Sequence, residues 1–121
     1  MTTYTNSNAV VFLRGNLGQD PKLSKDGKCV ILNLATHETK ISEEGESKIF
    51  TVWHKVFVWD EYDRNVCLDS FKKGMRIRVT AKLRYKDIED AEGDTHKIAV
   101  LHFYNGEGSE LFVDSNNHME G

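Results

Sequence analysis

The chain has 121 residues, 39% hydrophobic and 29% charged, enough for one hydrophobic core and too few for two, so a single domain is expected. No apolar run approaches the length that spans a bilayer, and Met1 to Asn8 is polar and uncharged, unlike a signal or transit segment, so the expectation is a cytoplasmic protein without membrane contact. A net charge of -3 argues against a polyanionic partner, yet all 16 Lys and Arg lie between Arg14 and Lys97, while Asn105 to Gly121 holds four acids and no base. Residues 1–104 are therefore near neutral, with 16 basic against 19 minus 4, or 15, acidic groups.

In chain order, Asn8 to Gly15 predicts a first strand, and NLGQDPKL, with the only proline at Pro21, a break. Lys25-Asp26-Gly27-Lys28 is a hairpin signal leading into a second strand, Cys29 to Thr36. His37 to Lys48, polar and containing Gly45, reads as a long exposed hairpin loop. Ile49 to Trp59 is a strong strand, with Phe50, Val52, His54, Val56 and Val58 on one face and Thr51, Trp53, Lys55, Phe57 and Trp59 on the other. Glu61 to Lys73 suits a short helix with acids early, lysines late and Gly74 as its cap.

Met75 to Lys86 alternates strictly, setting Met75, Ile77, Val79, Ala81, Leu83 and Tyr85 against Arg76, Arg78, Thr80, Lys82, Arg84 and Lys86. Asp87 to Asp94 reads as an acidic loop, His96 to Tyr104 as a further strand, and Ser109 to Asp114 as a short last one. The pattern is all-β: five or six strands with one helix between the third and fourth, the order of an OB-fold barrel. Residues 1–104 form that domain and 105–121 a short acidic extension.

Single-stranded nucleic acid is held by cations along its phosphates and by exposed rings that stack on bases, each stack worth roughly 1–3 kcal/mol. Trp53, Lys55, Phe57 and Trp59 offer both on one strand face. The same row also fits a strand buried on both sides, although Lys55 in its middle counts against burial. From Lys72 to Lys86 there are seven basic residues and no acid, the composition of an electrostatic groove to which Arg78, Arg84 and Lys86 belong.

From Asn8 to Phe103 the chain resembles the bacterial single-stranded DNA-binding protein family. The matching segments are GNLGQDP at Gly15 to Pro21, LAT at Leu34 to Thr36, WHKV at Trp53 to Val56, and Lys73-Gly74 before a strand ending LRYK. The resemblance implies an OB-fold that assembles as a homotetramer, or otherwise a dimer, and coats single-stranded DNA during replication, recombination and repair. It places Trp53 and Trp59 at stacking positions and Lys55, Lys73, Arg84 and Lys86 at basic ones. Two family aromatics are absent, one around Lys40 and one at Ile88, which implies reduced stacking there. The chain stops at Gly121 without the family's long acidic-tipped tail, so it resembles a tailless or truncated member, and tail-mediated recruitment of replication proteins is not implied.

Cys29 and Cys67 lack metal-ligand or CxxC spacing and read as buried small hydrophobes. The five histidines show no HxxxH or HExxH spacing, Gly15 and Gly18 no phosphate-loop sequence, and no nucleophile elbow is present. No metal, cofactor or catalysis is expected. The alternatives to sequence-independent DNA binding are an accessory or primosomal OB protein, and a protein-interaction OB module with weak DNA binding.

Overall fold

The computed structural model describes residues 9–106 and 109–114. They form β1 (Val10–Leu17), β2 (Lys22–Leu23), β3 (Val30–Ile41), β4 (Ser47–Val58), α1 (Glu61–Ser70), β5 (Arg76–Glu89), β6 (Thr95–Phe103) and β7 (Glu110–Val113). Each long strand sends one alternating row inward. Ile77, Val79 and Ala81 on β5, Val56 and Val58 on β4, Val30, Leu32 and Leu34 on β3, and Leu13 and Leu17 on β1 make the core, with Cys67 and Phe71 added from α1 and its end. Fully burying one such aliphatic side chain is worth about 1.5–3 kcal/mol, which is why the pattern of period two holds the strands in register.

The sheet runs in the order β1-β3-β4-β6-β5, and pairing of β1 with β5 closes it into a barrel. Every pairing is antiparallel except β4 with β6, which is parallel from Val56 opposite Leu101 to Val58 opposite Phe103. With the helix between the third and fourth of these five strands, this is the OB-fold expected from the sequence. β1 serves two neighbours, pairing with β5 over Val10 to Asn16 and with β3 at Asn16 and Leu17. At that crossing a Cβ on Gly15 would stand 2.1 Å from the Ala35 carbonyl oxygen.

Several boundaries differ from the sequence reading. His37 to Lys48 is not a long loop: β3 and β4 stay paired out to Ile41 opposite Ser47, and only Ser42 to Glu46 turn. Likewise β5 and β6 pair out to Glu89 opposite Thr95, leaving a turn in which the Asp90 carboxylate accepts the Glu92 and Asp94 amides. Both outer hairpins leave the barrel, so nothing beneath them selects an apolar row, and a polar ladder looks like a loop. The break after Gly15 also starts later, because Leu17 donates its amide to the Met75 carbonyl and Gly18 to that of Asn33.

The helix ends at Ser70 and not at Lys73, since Phe71 is extended (φ -92°, ψ 137°) and turns its ring into the core. Gly74, at φ 90°, is therefore a turn residue whose amide reaches the Leu17 carbonyl, not the helix cap. Of the expected 105–121 extension, Glu110 to Val113 form β7, which lies along β5 from Ile77 to Thr80. Its end is fastened by Asp114, whose side chain is 1% exposed and accepts from Arg14 Nε at 2.7 Å and Arg76 Nε at 3.2 Å. A carboxylate so far from water needs such partners to remain charged, and its hydrogen bond and charge in turn raise the pKa of Arg14. Expectations for Met1 to Asn8, Glu107, Gly108 and 115–121 fall outside the described residues.

Replacing Gly15 by Ala forces a methyl group into backbone that cannot yield. Urea denaturation of G15A is expected to show a loss of about 1–3 kcal/mol or more; an unchanged midpoint would refute the tight crossing.

Candidate nucleic-acid interface

The outward row of β4 begins at Trp53, which is 61% exposed. Its ring lies over the β1–β2 loop, where a Cβ on Gly18 would meet ring carbons at 2.3 and 2.6 Å. The GNLG turn is thus a platform for this indole. Lys73 belongs to the same end: its amide donates to Asp20 Oδ1 at 2.7 Å, and the next residue bonds Leu17. Lys55 follows, exposed and opposite Asn33 of β3. Thus Trp53, Lys55 and Lys73 surround one end of the strip, about 20 Å along the strand from Trp59 at six residues of 3.3 Å rise.

At the other end the parallel β4–β6 pairing sets Phe57 directly beside His102. Phe57 and His102 have ring centroids 5.8 Å apart, Trp59 and His102 5.6 Å, and Trp59 stacks on Tyr104 at 6.3 Å with 12° between planes. Trp59 Nε1 donates to His102 Nδ1 at 2.7 Å. Phe57, Trp59, His102 and Val100 floor an open depression of about 510 Å³, bordered by Arg84, Tyr85 and Lys86 on one side and Ser24 to Asp26 on the other. Burial, and secondarily the Arg84 charge, lower the pKa of His102, so the imidazole is neutral at neutral pH. The Asp26 carboxylate, lowered by the Ser24 hydroxyl and the Lys28 amide, stays ionised as it shapes the facing turn.

Seven of the eight candidate residues thus lie along β4 or at its two ends, and Arg78 does not. Arg78 stands among Phe12, Thr80, Glu110 and Phe112, its guanidinium 5.7 Å from the Phe112 ring centroid. The basic run is not one groove either. β5 bends around the barrel, so its outward row faces β1 and β7 near Arg76 and Arg78 but the depression near Arg84 and Lys86. Arg76 is spent on Asp114 and Asn16.

Three rings of this region were not foreseen. His102 near the end of β6 and Tyr104 just past it sit two apart in the sequence, a signal of a shared face, but their meeting with Phe57 and Trp59 depends on which strand lies beside β4. Tyr85, turned inward by alternation, borders the depression because its hairpin has left the barrel and both faces are open. At the position of the missing aromatic around Lys40, the Lys40 ammonium lies 5.1 Å from the Phe50 ring centroid. His54 hydrogen-bonds Thr36 Oγ1 at 2.9 Å. Cys29 and Cys67 are buried, unpaired thiols, and burial followed by the Asp63 charge pushes Cys67 up to about 12, so it packs as a small hydrophobe.

A closed OB barrel with an open strip of indoles, flanked by cations, defines the class: an OB-fold protein built around an exposed aromatic and basic surface. The chain belongs to the single-strand binding protein family, whose model matches residues 8–105. It is 36% identical to the mitochondrial single-stranded DNA-binding protein of Drosophila melanogaster over 86 residues, 69% of this chain and 59% of that protein. To the single-stranded DNA-binding protein of Rickettsia typhi it is 30% identical over 118 residues, 92% of this chain and 78% of that one. Among solved structures, a Plasmodium falciparum SSB in complex with ssDNA superposes with a TM-score of 0.73 at 23% identity, covering 92% of this chain and 98% of that one, a likeness of fold.

Gly18→Ala tests the Trp53 platform. In a Trp59→Phe background the remaining indole emission is expected to shift, while stability changes by less than about 1 kcal/mol because only an exposed ring must move. Unaltered emission would show that the ring does not rest on Gly18.

Proposed function

We propose that the chain binds single-stranded DNA without sequence preference and protects it during replication, recombination and repair. The observation that carries this reading is the open β4 strip, with Trp53 and Trp59 at its ends and cations beside both. Phosphates run past Lys73 and Lys55 and on to Arg84 and Lys86, while bases stack on the indoles and on Phe57. Ring faces and ammonium groups read no base edges, so the surface accepts any sequence. The names of the Drosophila and Rickettsia proteins and the DNA in the Plasmodium complex support the same ligand. The role is binding and not catalysis.

The reading includes self-association, as a homotetramer or otherwise a dimer. Its support is an outward strip on the far side of the barrel, where Phe12 and Phe112 are 61% and 49% exposed around Arg78. No helix among the described residues is long and apolar enough to cross a membrane. We place its work in the cytoplasm, whereas the Drosophila relative is a mitochondrial protein.

Binding to dT oligomers is expected to quench tryptophan emission at low salt, and Trp53→Ala with Trp59→Ala to weaken it at least about 30-fold, given roughly 1–3 kcal/mol per stack. Replacing Arg84 and Lys86 by Gln should lower the slope of log K against log salt by about 1.4, at about 0.7 per phosphate contact. Arg78→Gln, on the other face, should leave that slope unchanged. No quenching at low salt refutes the function; a changed slope in the Arg78 variant redraws the path.

A further inference from the structure

The Trp59–His102 contact lies within the depression, yet stacking and charge do not use it. An indole nitrogen only donates, so at 2.7 Å His102 Nδ1 must be the bare, accepting nitrogen. The neutral imidazole then carries its proton on Nε2. Trp59 lies just beyond the last residue of β4, half-exposed, with Tyr104 stacked against one face of its ring. His102, by contrast, is set firmly within the sheet, cross-strand to Phe57 of β4 on one side and to Lys82 of β5 on the other. The hydrogen bond therefore ties a ring at a strand end to one fixed in the barrel wall.

We propose that His102 is a positioning residue for DNA binding: by accepting a hydrogen bond from the Trp59 indole N–H it holds that ring with its free face turned to the depression, and protonation of His102 releases it. This rests on the reading of the depression as part of the DNA path. An imidazolium has no lone pair on Nδ1, so it cannot accept and instead presents a hydrogen to the indole N–H. The charged and titratable groups facing His102 are Lys82, Arg84 and Lys86 of β5, Tyr104 just past the end of β6, and Lys25, Asp26 and Cys29 across the depression; β4 and its end contribute Phe57 and Trp59, which do not titrate. Burial and Arg84 both oppose the proton, so release occurs below the ordinary histidine value of 6.5. Because the folded pKa is the lower one, the contribution of neutral His102 to stability is complete above 6.5 and is lost as pH falls toward the folded value. The predicted pH effect on DNA binding runs against plain electrostatics, in which acid adds positive charge and tightens the grip on phosphates.

The test uses Trp53→Phe, which leaves Trp59 as the one tryptophan of the two in the chain and removes the indole nearest His54. Without DNA, emission of this parent is expected to fall on acidification with a midpoint below 6.5, and dT-oligomer affinity to weaken over the same range. His102→Phe in that background should abolish the emission change and bind dT about threefold to tenfold more weakly at neutral pH, the range for one lost hydrogen bond. His102→Asn, whose Oδ1 can accept in place of Nδ1, should restore most of that affinity while remaining flat with pH. Flat emission in a parent that binds dT, or full affinity in a folded Phe variant, overturns the positioning role alone. Wild-type protein, with Trp53 in place, that does not bind dT at low salt overturns the proposed function, and this role with it. If the His102 variants fail to fold, the titration of the parent still decides.

Discussion

Three parallel residue pairs, Val56 to Leu101 through Val58 to Phe103, join β4 to β6, and the rest of the molecule depends on them. Without this pairing the sheet is open and its edges would need other cover. With it, the inward residues of both strands complete the core and their outward residues become neighbours. The same register that buries Val56 against the barrel puts Phe57 beside His102 and brings Trp59 within hydrogen-bonding reach of it. Core and surface are two sides of one ladder.

The bend of β5 is the second constraint. To touch β1 at one end and β6 at the other, the strand must travel around the barrel, and its outward row turns with it. A cationic stripe that is continuous in sequence is therefore divided in space. Arg76 and Arg78 are engaged with Asp114 and Phe112, where β7 lies along the strand, while Arg84 and Lys86 remain beside the aromatic depression. The acidic total charge is reconciled with a polyanionic ligand in the same way. Many acids sit in the turns of the two outer hairpins and one is buried at Asp114, whereas cations flank the strip.

Much of the barrel was legible because burial selects residues. Wherever a strand has core on one side, as in Ile77 to Ala81 or Val56 to Val58, an apolar row of period two marks it, and strand and inward face follow together. Where the strand leaves the barrel that selection ceases. Glu38 to Ile41 and Asp87 to Glu89 pair fully with their partners, yet their polar composition resembles loops. The helix end failed for a related reason: Lys72 and Lys73 suit a last turn, but burial of Phe71 bends the chain out of the helix two residues after Asp69.

By itself the sequence determined the all-β class, the helix between the third and fourth principal strands, the row Trp53, Lys55, Phe57 and Trp59, and the inward rows where they lie over the barrel, but not their outer ends, since Phe50, Val52 and Tyr85 are exposed. These are local properties, since side-chain alternation is set by backbone geometry within a few residues. Only the tertiary structure decided which strand lies beside β4. With that came the pairing of Trp59 with His102, the seat of Trp53 on Gly18, the removal of Arg78 to the opposite face, and the return of Asp114 to Arg14. Each joins residues far apart in the chain, and such contacts are governed by barrel closure and by the curvature of β5, which no short stretch of sequence encodes.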